Sequence, residues 1–210
     1  MNLIRQQQSK GQSLVEMAIV TPILIFMLIG VIETGWALHG YLVLINANRE
    51  AARFAVRQNY LDFNSNDVGY EKVLSHTYST LSGQLPVDFT SRDTIIISYI
   101  EVEATCTGAY TITTPLNVPT YTWKMPLTST QMTRLNYTEL ASEALRLQIQ
   151  HSCAEEAASF TPRPNGMLTV EMWHKHFQLF GFPLISNPHT DPTTFYVRST
   201  FRKIIDSRIR

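Results

Sequence analysis

The chain has 210 residues, with 17 Lys and Arg against 17 Asp and Glu, a formal net charge of zero, 44% hydrophobic residues and only 16% charged ones. That size fits one ordinary domain with an added segment. A zero balance offers no broad basic surface for counterion release along a phosphate backbone, so no nucleic-acid partner is expected.

The zero averages over unlike parts. Residues 1–11 carry Arg5 and Lys10 and no acid, so this leader is +2 and residues 12–210 are −2. From Met17 to Ile32 the chain reads MAIVTPILIFMLIGVI without a charge, and apolar character continues through Trp36, Leu38, Tyr41 and Leu42. A helix rising about 1.5 Å per residue needs about 20 residues to cross a hydrocarbon core, so residues 14–38 suffice, with Glu16 and Glu33 near the two boundaries. Basic flanks stay cytoplasmic, which puts the N-terminus inside and everything after the helix across the membrane, although Arg49, Arg53 and Arg57 on the far side weaken the bias. No small-residue cleavage site of the secretory kind follows Ile32. The small residue comes first: Gly11 precedes the apolar run, and Glu16 stands five residues after it. A carboxylate costs about 3 kcal/mol near a bilayer centre and less at the interface, so Glu16 calls for a partner.

The stretch Gly11-Gln12-Ser13-Leu14-Val15-Glu16, followed by Met17-Ala18-Ile19-Val20-Thr21-Pro22-Ile23-Leu24, resembles a type IV prepilin signal of the class III kind. More narrowly, with Gly30 to Leu38 and Asn46 to Ala55, it resembles TadE-like pseudopilins over residues 11–55. The resemblance implies cleavage between Gly11 and Gln12 by a membrane prepilin peptidase on the cytoplasmic face. Glu16 then becomes the fifth mature residue, which in pilins pairs with the N-terminal amine of a neighbouring subunit. Opposite charges attract strongly in a low-dielectric setting and a lone one is penalised, so such pairing favours one register between subunits. The chain has Glu16-Met17 where relatives usually carry Glu-Phe or Glu-Tyr. Major Flp-type pilins are far shorter, so 210 residues favour a minor or accessory subunit. The implied partners are the membrane, the peptidase, other pilin or pseudopilin subunits and the pilus assembly platform. The implied location is the inner membrane, single-pass, with possible later incorporation into an extracellular pilus.

Beyond the apolar run, Ala47, Ala51 and Ala55 recur every four residues, a spacing that lets helix backbones approach closely. Arg49, Arg53 and Arg57 recur at the same interval about 200° away, nearly on the opposite side. A solvated amphipathic helix packed on its own globular domain is the alternative to helix–helix assembly. No Pro or Gly interrupts Tyr41 to Asn59, so one helix is predicted from about Ser13 to about Gln58, roughly 70 Å long, with Pro22 as a candidate bend. The implied organisation is a leader at 1–11, a long helix at 12–58 and an exported domain at 59–210.

In that domain a polar link at residues 61–69 precedes a short helix at Tyr70 to Ser82. Residues 98–104 alternate, with Ile100, Val102 and Ala104 on one side and Glu101 and Glu103 on the other, as in a half-buried antiparallel strand. Tyr110 to Thr114 is its expected partner across a Thr107-Gly108 turn, and Leu168 to Phe177 and Phe195 to Ile204 read as further strands. Residues 115–130, with Pro115, Pro119 and Pro126, read as an exposed loop. Apolar positions at Leu140, Ala141, Ala144, Leu145 and Leu147 predict a second helix from Thr138 to about Ala158. The expected fold is α+β: a long membrane-spanning helix, then a pilin-like exported domain with a small antiparallel sheet and a second helix.

Cys106 and Cys153 are the two cysteines. On an exported domain they are expected to form a disulfide, closing a loop of about 48 residues that stabilises by roughly 4 kcal/mol in the chain-entropy model. Two separate buried thiols are the alternative. His174 and His176 share one face of a strand, and His151, His189 and Asp191 could complete a metal site, but the spacing is common, and the same face carries Leu168, Val170 and Met172, which places the histidines at the core edge. His151 and Cys153 point in different directions on a helix and make a poor base–nucleophile pair. No Gly-rich phosphate loop or G-x-S-x-G elbow occurs, so no enzyme, cofactor, metal or small-molecule substrate is expected. The competing class is an uncleaved single-pass anchor carrying an exported binding or enzymatic domain.

Overall fold

The structure is a computed structural model that describes residues 3–57, 68–104, 110–112, 121–136, 138, 164–180 and 192–204. The expected helix at 138–158, the Thr107-Gly108 turn, most of the polar link, Pro115, Pro119 and both cysteines lie outside the described residues, apart from Thr138. The chain divides into two units, one of Met1–Gly40 with His176–Thr193 and one of Tyr41–Lys175 with Thr194–Arg210.

Helix α1 runs Leu3–Arg57 without a break through Pro22. At about 1.5 Å per residue it is about 80 Å long. It starts earlier than Ser13 because Leu3 to Lys10 are good helix formers and Gly11 weakens a helix by about 1 kcal/mol without stopping it. Its apolar window has mean hydropathy 2.5 and none of it is buried, so α1 is long and apolar enough to cross a membrane. Within that stretch the Thr34 hydroxyl donates to the Gly30 carbonyl at 2.8 Å, so its polar group is satisfied inside the helix.

In the second unit the far half of α1 joins a core. Leu44, Ala47, Ala51, Ala52 and Ala55 are buried in one cluster with Tyr70, Val73 and Leu81 of helix α2, Val68–Leu81. Alanine at these positions leaves no side chain to hold the neighbours off. Ala47, Ala51 and Ala55, the four-residue alanine stripe, are 2% exposed or less and share this cluster with side chains of α2. Arg49, Arg53 and Arg57 are exposed on the other side, as their offset requires. The Phe54 ring stacks on His76 of α2 at 4.2 Å between centroids.

Five strands follow: β1 Thr94–Ala104, β2 Tyr110–Ile112, β3 Tyr121–Met125, β4 Pro164–His176 and β5 Thr193–Ile204. β1 pairs antiparallel with β4 from Thr94↔Trp173 to Glu101↔Gly166. Along its other edge it pairs with β3, Ile95↔Met125 to Tyr99↔Tyr121, and then with β2, Val102↔Ile112 to Ala104↔Tyr110. β5 lies beside β4. Trp173 meets Tyr196 and the Thr169 hydroxyl meets that of Thr200 at 3.0 Å, a spacing that runs β4 and β5 in opposite directions.

One sheet face carries Ile95, Ile97, Tyr99, Leu168, Val170, Met172 and Val197 into the cluster with α1 and α2. The other is also covered: every residue from Thr94 to Ile100 is buried, Ser98 included. β1 is thus buried on both faces over its first seven residues, so the half-buried reading does not hold at 98–100; the alternating side chains of 101–104 lie outside the described ones. It also begins four residues before the alternation does, at the continuous run TIII, as fully buried strands do. The predicted loop at 115–130 is corrected by β3, whose YTWKM sequence has the aromatic and β-branched residues that suit an edge.

A tight turn leads into β1. The Asp88 carboxylate accepts from the hydroxyls of Ser91 and Thr90 and from the Thr90 N–H. These donors, the Ser91 hydroxyl first, hold its pKa down at about 2. Buried Asp93 closes the turn, accepting from the Asp88 N–H at 2.7 Å.

Candidate assembly and anchoring site

Gly11, Gln12 and Glu16 all lie exposed on α1. A Cβ added at Gly11 would meet nothing within 4 Å. Glycine in an exposed helix costs about 1 kcal/mol relative to alanine, so the fold itself gives no reason for glycine here. Glu16 likewise has no ion pair or hydrogen bond among the described residues, and Leu14, Val15, Met17, Ile19 and Val20 around it are exposed apolar side chains. Among the described residues nothing covers this apolar surface, and a lone carboxylate on such a surface is penalised when it is taken out of water.

The other acid of the apolar region is treated differently. Glu33 accepts from the backbone N–H of Leu179 at 2.7 Å and of Phe180 at 3.3 Å, across 146 and 147 residues of sequence. Both acids bracket the uncharged run, and one of them is satisfied within the chain.

Residues 11–53 match the family model described as TadE-like protein. No curated protein matches the chain, and no solved structure does. The TadE-like match covers about a fifth of the chain. It takes in Gly11, Gln12 and Glu16 together with Glu33, and stops inside α1. It therefore spans the exposed apolar half of the helix and enters the half that packs under the sheet.

The polar centres of the second unit are construction points. Glu171, fully buried on β4, accepts from the Tyr196 hydroxyl at 2.7 Å, the Arg134 N–H at 3.0 Å and the Thr133 hydroxyl. It thereby pins residues 133–134 to the sheet face away from the helices. The Arg134 guanidinium covers the Tyr196 ring at 4.4 Å, and burial, with the bond to Glu171 next, pushes the Tyr196 phenol above its usual range. His174 Nδ1 lies 3.0 Å from Asp93 Oδ1, and the Lys175 N–H donates to the same oxygen. This His–Asp pair is buried and fixes the turn at 88–93 to β4. His176, which belongs to the first unit, is buried as well. Among the described residues no three His, Cys, Asp or Glu side chains gather into a metal site. His151, His189 and Asp191 lie outside the described residues.

Sequence reasoning marked Gly11, Gln12 and Glu16, whose signal is local. It missed the tether from Glu33 and the anchors Asp93 and Glu171, because each joins segments far apart in the chain and carries no spacing to read.

Proposed function

We propose that this chain is a minor pilin or pseudopilin of a Tad-type pilus, acting in pilus biogenesis, adherence or secretion. α1 anchors it in the inner membrane over about residues 14–38, the basic leader stays in the cytoplasm and the α+β domain is exported. A prepilin peptidase removes residues 1–11, so that Gln12 becomes the N-terminus, and Glu16 pairs with the terminal amine of a neighbouring subunit when the helices assemble. The single observation that carries this reading is Glu16: a charge with no partner among the described residues, on an exposed apolar helix segment, five residues after a glycine with open space around it, in the TadE-like segment. Export also supports a Cys106–Cys153 disulfide. On this reading the protein is structural, uses no cofactor and acts on no small molecule; its partners are the membrane, the peptidase, other pilus subunits and the assembly platform.

Intact mass of the protein purified from membranes of cells with active prepilin peptidase tests it. The expected species begins at Gln12. A chain retaining Met1 in such cells overturns the reading in favour of an uncleaved single-pass anchor for an exported domain.

A further inference from the structure

We propose that residues 177–180 form an interfacial foot, seated in the headgroup and acyl boundary of the bilayer on the side of the exported domain and tied to the spanning helix by Glu33. The inference rests on the reading of α1 as a membrane helix.

The apolar run of α1 is bracketed by Glu16 and Glu33, which are 17 residues apart in the sequence. At about 1.5 Å per residue that is about 25 Å, close to the roughly 30 Å thickness of a hydrocarbon core. Glu33 thus lies at the level of one boundary. Trp36, 40% exposed and stacked on His39, lies about one turn beyond it, where amphipathic rings collect at membrane surfaces.

The segment brought to that level is apolar. Leu179 is 55% exposed, Phe180 48% and Phe177 47%, in the uncharged sequence Phe-Gln-Leu-Phe. Three large apolar side chains within four residues are a poor match for water. The tether chooses between water and lipid. A loop entering the boundary must bring its backbone donors with it, and an unsatisfied N–H there is costly. Two successive donors of the segment, those of Leu179 and Phe180, are already taken by the Glu33 carboxylate. The same two bonds give the carboxylate its partners at a depth where a bare charge is penalised. Each group removes the other's obstacle to sitting at the interface, and what remains outward is the apolar side chains.

The experiment uses the full chain in proteoliposomes. Leu179→Trp, compared with the parent protein, isolates the emission of a reporter at residue 179; Trp36→Phe isolates that of Trp36 on the helix. Lipids brominated near the headgroup end of the acyl chains probe contact with lipid, and iodide probes contact with water. Loss of most of the residue-179 emission in brominated lipid, with little loss to iodide, is expected. Adding Glu33→Ala is expected to reverse the two sensitivities at position 179 while leaving Trp36 quenched by lipid. Quenching at residue 179 by iodide alone, or by neither agent as in a protein contact, with Trp36 quenched by lipid, overturns the foot and spares the membrane helix. Lipid quenching at neither position overturns both. An unchanged depth in Glu33→Ala overturns the tether. Phe180→Trp repeats the measurement should the first variant yield no folded protein.

Discussion

The ring of Tyr99 lies over Gly166 so closely that a Cβ at residue 166 would stand 2.5 Å from Cε2 of Tyr99. The two are diagonal neighbours across the β1–β4 ladder, where Tyr99 faces Leu168 and Glu101 faces Gly166. Tyr99 is 1% exposed and belongs to the core under α1 and α2, so its ring has nowhere to retreat. Gly166→Ala is therefore expected to destabilise the sheet-bearing unit by about 1–3 kcal/mol, the range for overpacking a filled site. For a chain of this size each kcal/mol lowers the midpoint by roughly 2–4 °C. Thermal unfolding of the detergent-solubilised protein reads the effect, and adding Tyr99→Leu should remove most of the penalty specific to residue 166. An unchanged midpoint in Gly166→Ala would show that the ring moves freely.

Glu171 offers three buried acceptor contacts that an amide cannot reproduce, since one oxygen becomes a donor facing donors. Glu171→Gln is expected to cost about 1–3 kcal/mol. The pH arm follows from Tyr196. Its phenol is held above the ordinary value of 10, so the stability it contributes is complete below pH 10 and lost as the pH climbs past that point through the higher folded value. In tyrosinate absorbance titrations, the difference between the wild type and Tyr196→Phe is expected to show a phenol that resists ionisation until well above pH 10. In Glu171→Gln that resistance should weaken. A Tyr196 that titrates in the folded protein at the ordinary value, with wild-type stability in Glu171→Gln, would sink this account of the network.

The parts of the fold that announce themselves are those whose cause is local. The uncharged run from Met17 to Ile32 marks α1, and the short helix read at Tyr70 to Ser82 after the polar link meets α2 within a residue or two of its bounds. β1 is readable only where Glu101 and Glu103 alternate with apolar residues; its buried beginning, Thr94 to Ile97, has no alternation because both faces are covered. β3 hides between Pro119 and Pro126, residues that speak for a loop and here bracket an edge strand. Small-residue spacing at Ala47, Ala51 and Ala55 says that something comes close but not what, and the closeness is to this chain's own core. Of the site, Gly11 and Glu16 are legible because they stand out against their immediate surroundings. Glu33 looks like a boundary residue from sequence; that it holds Leu179 and Phe180 depends on a fold that carries the chain back across 146 positions.

Glu16 separates the assembly reading from that of a simple anchor. If the helix only holds the domain to the membrane, a carboxylate near one end of its apolar run is a burden, and Glu16→Leu should be neutral or helpful, since it removes a group costing up to about 3 kcal/mol at depth. If the carboxylate pairs with a neighbour's N-terminal amine, the same substitution leaves an uncompensated amine at each subunit junction and loses the register that the pair defines. Glu16→Leu is thus expected to insert in membranes at wild-type levels, to be cleaved after Gly11 as before, and to reduce piliation and the recovery of the subunit with sheared filaments. Those three readouts separate the causes: loss of insertion would point to folding, loss of cleavage to peptidase recognition. Piliation and filament recovery at wild-type levels would remove the amine-pairing argument, and with it the observation on which the pilus reading most depends.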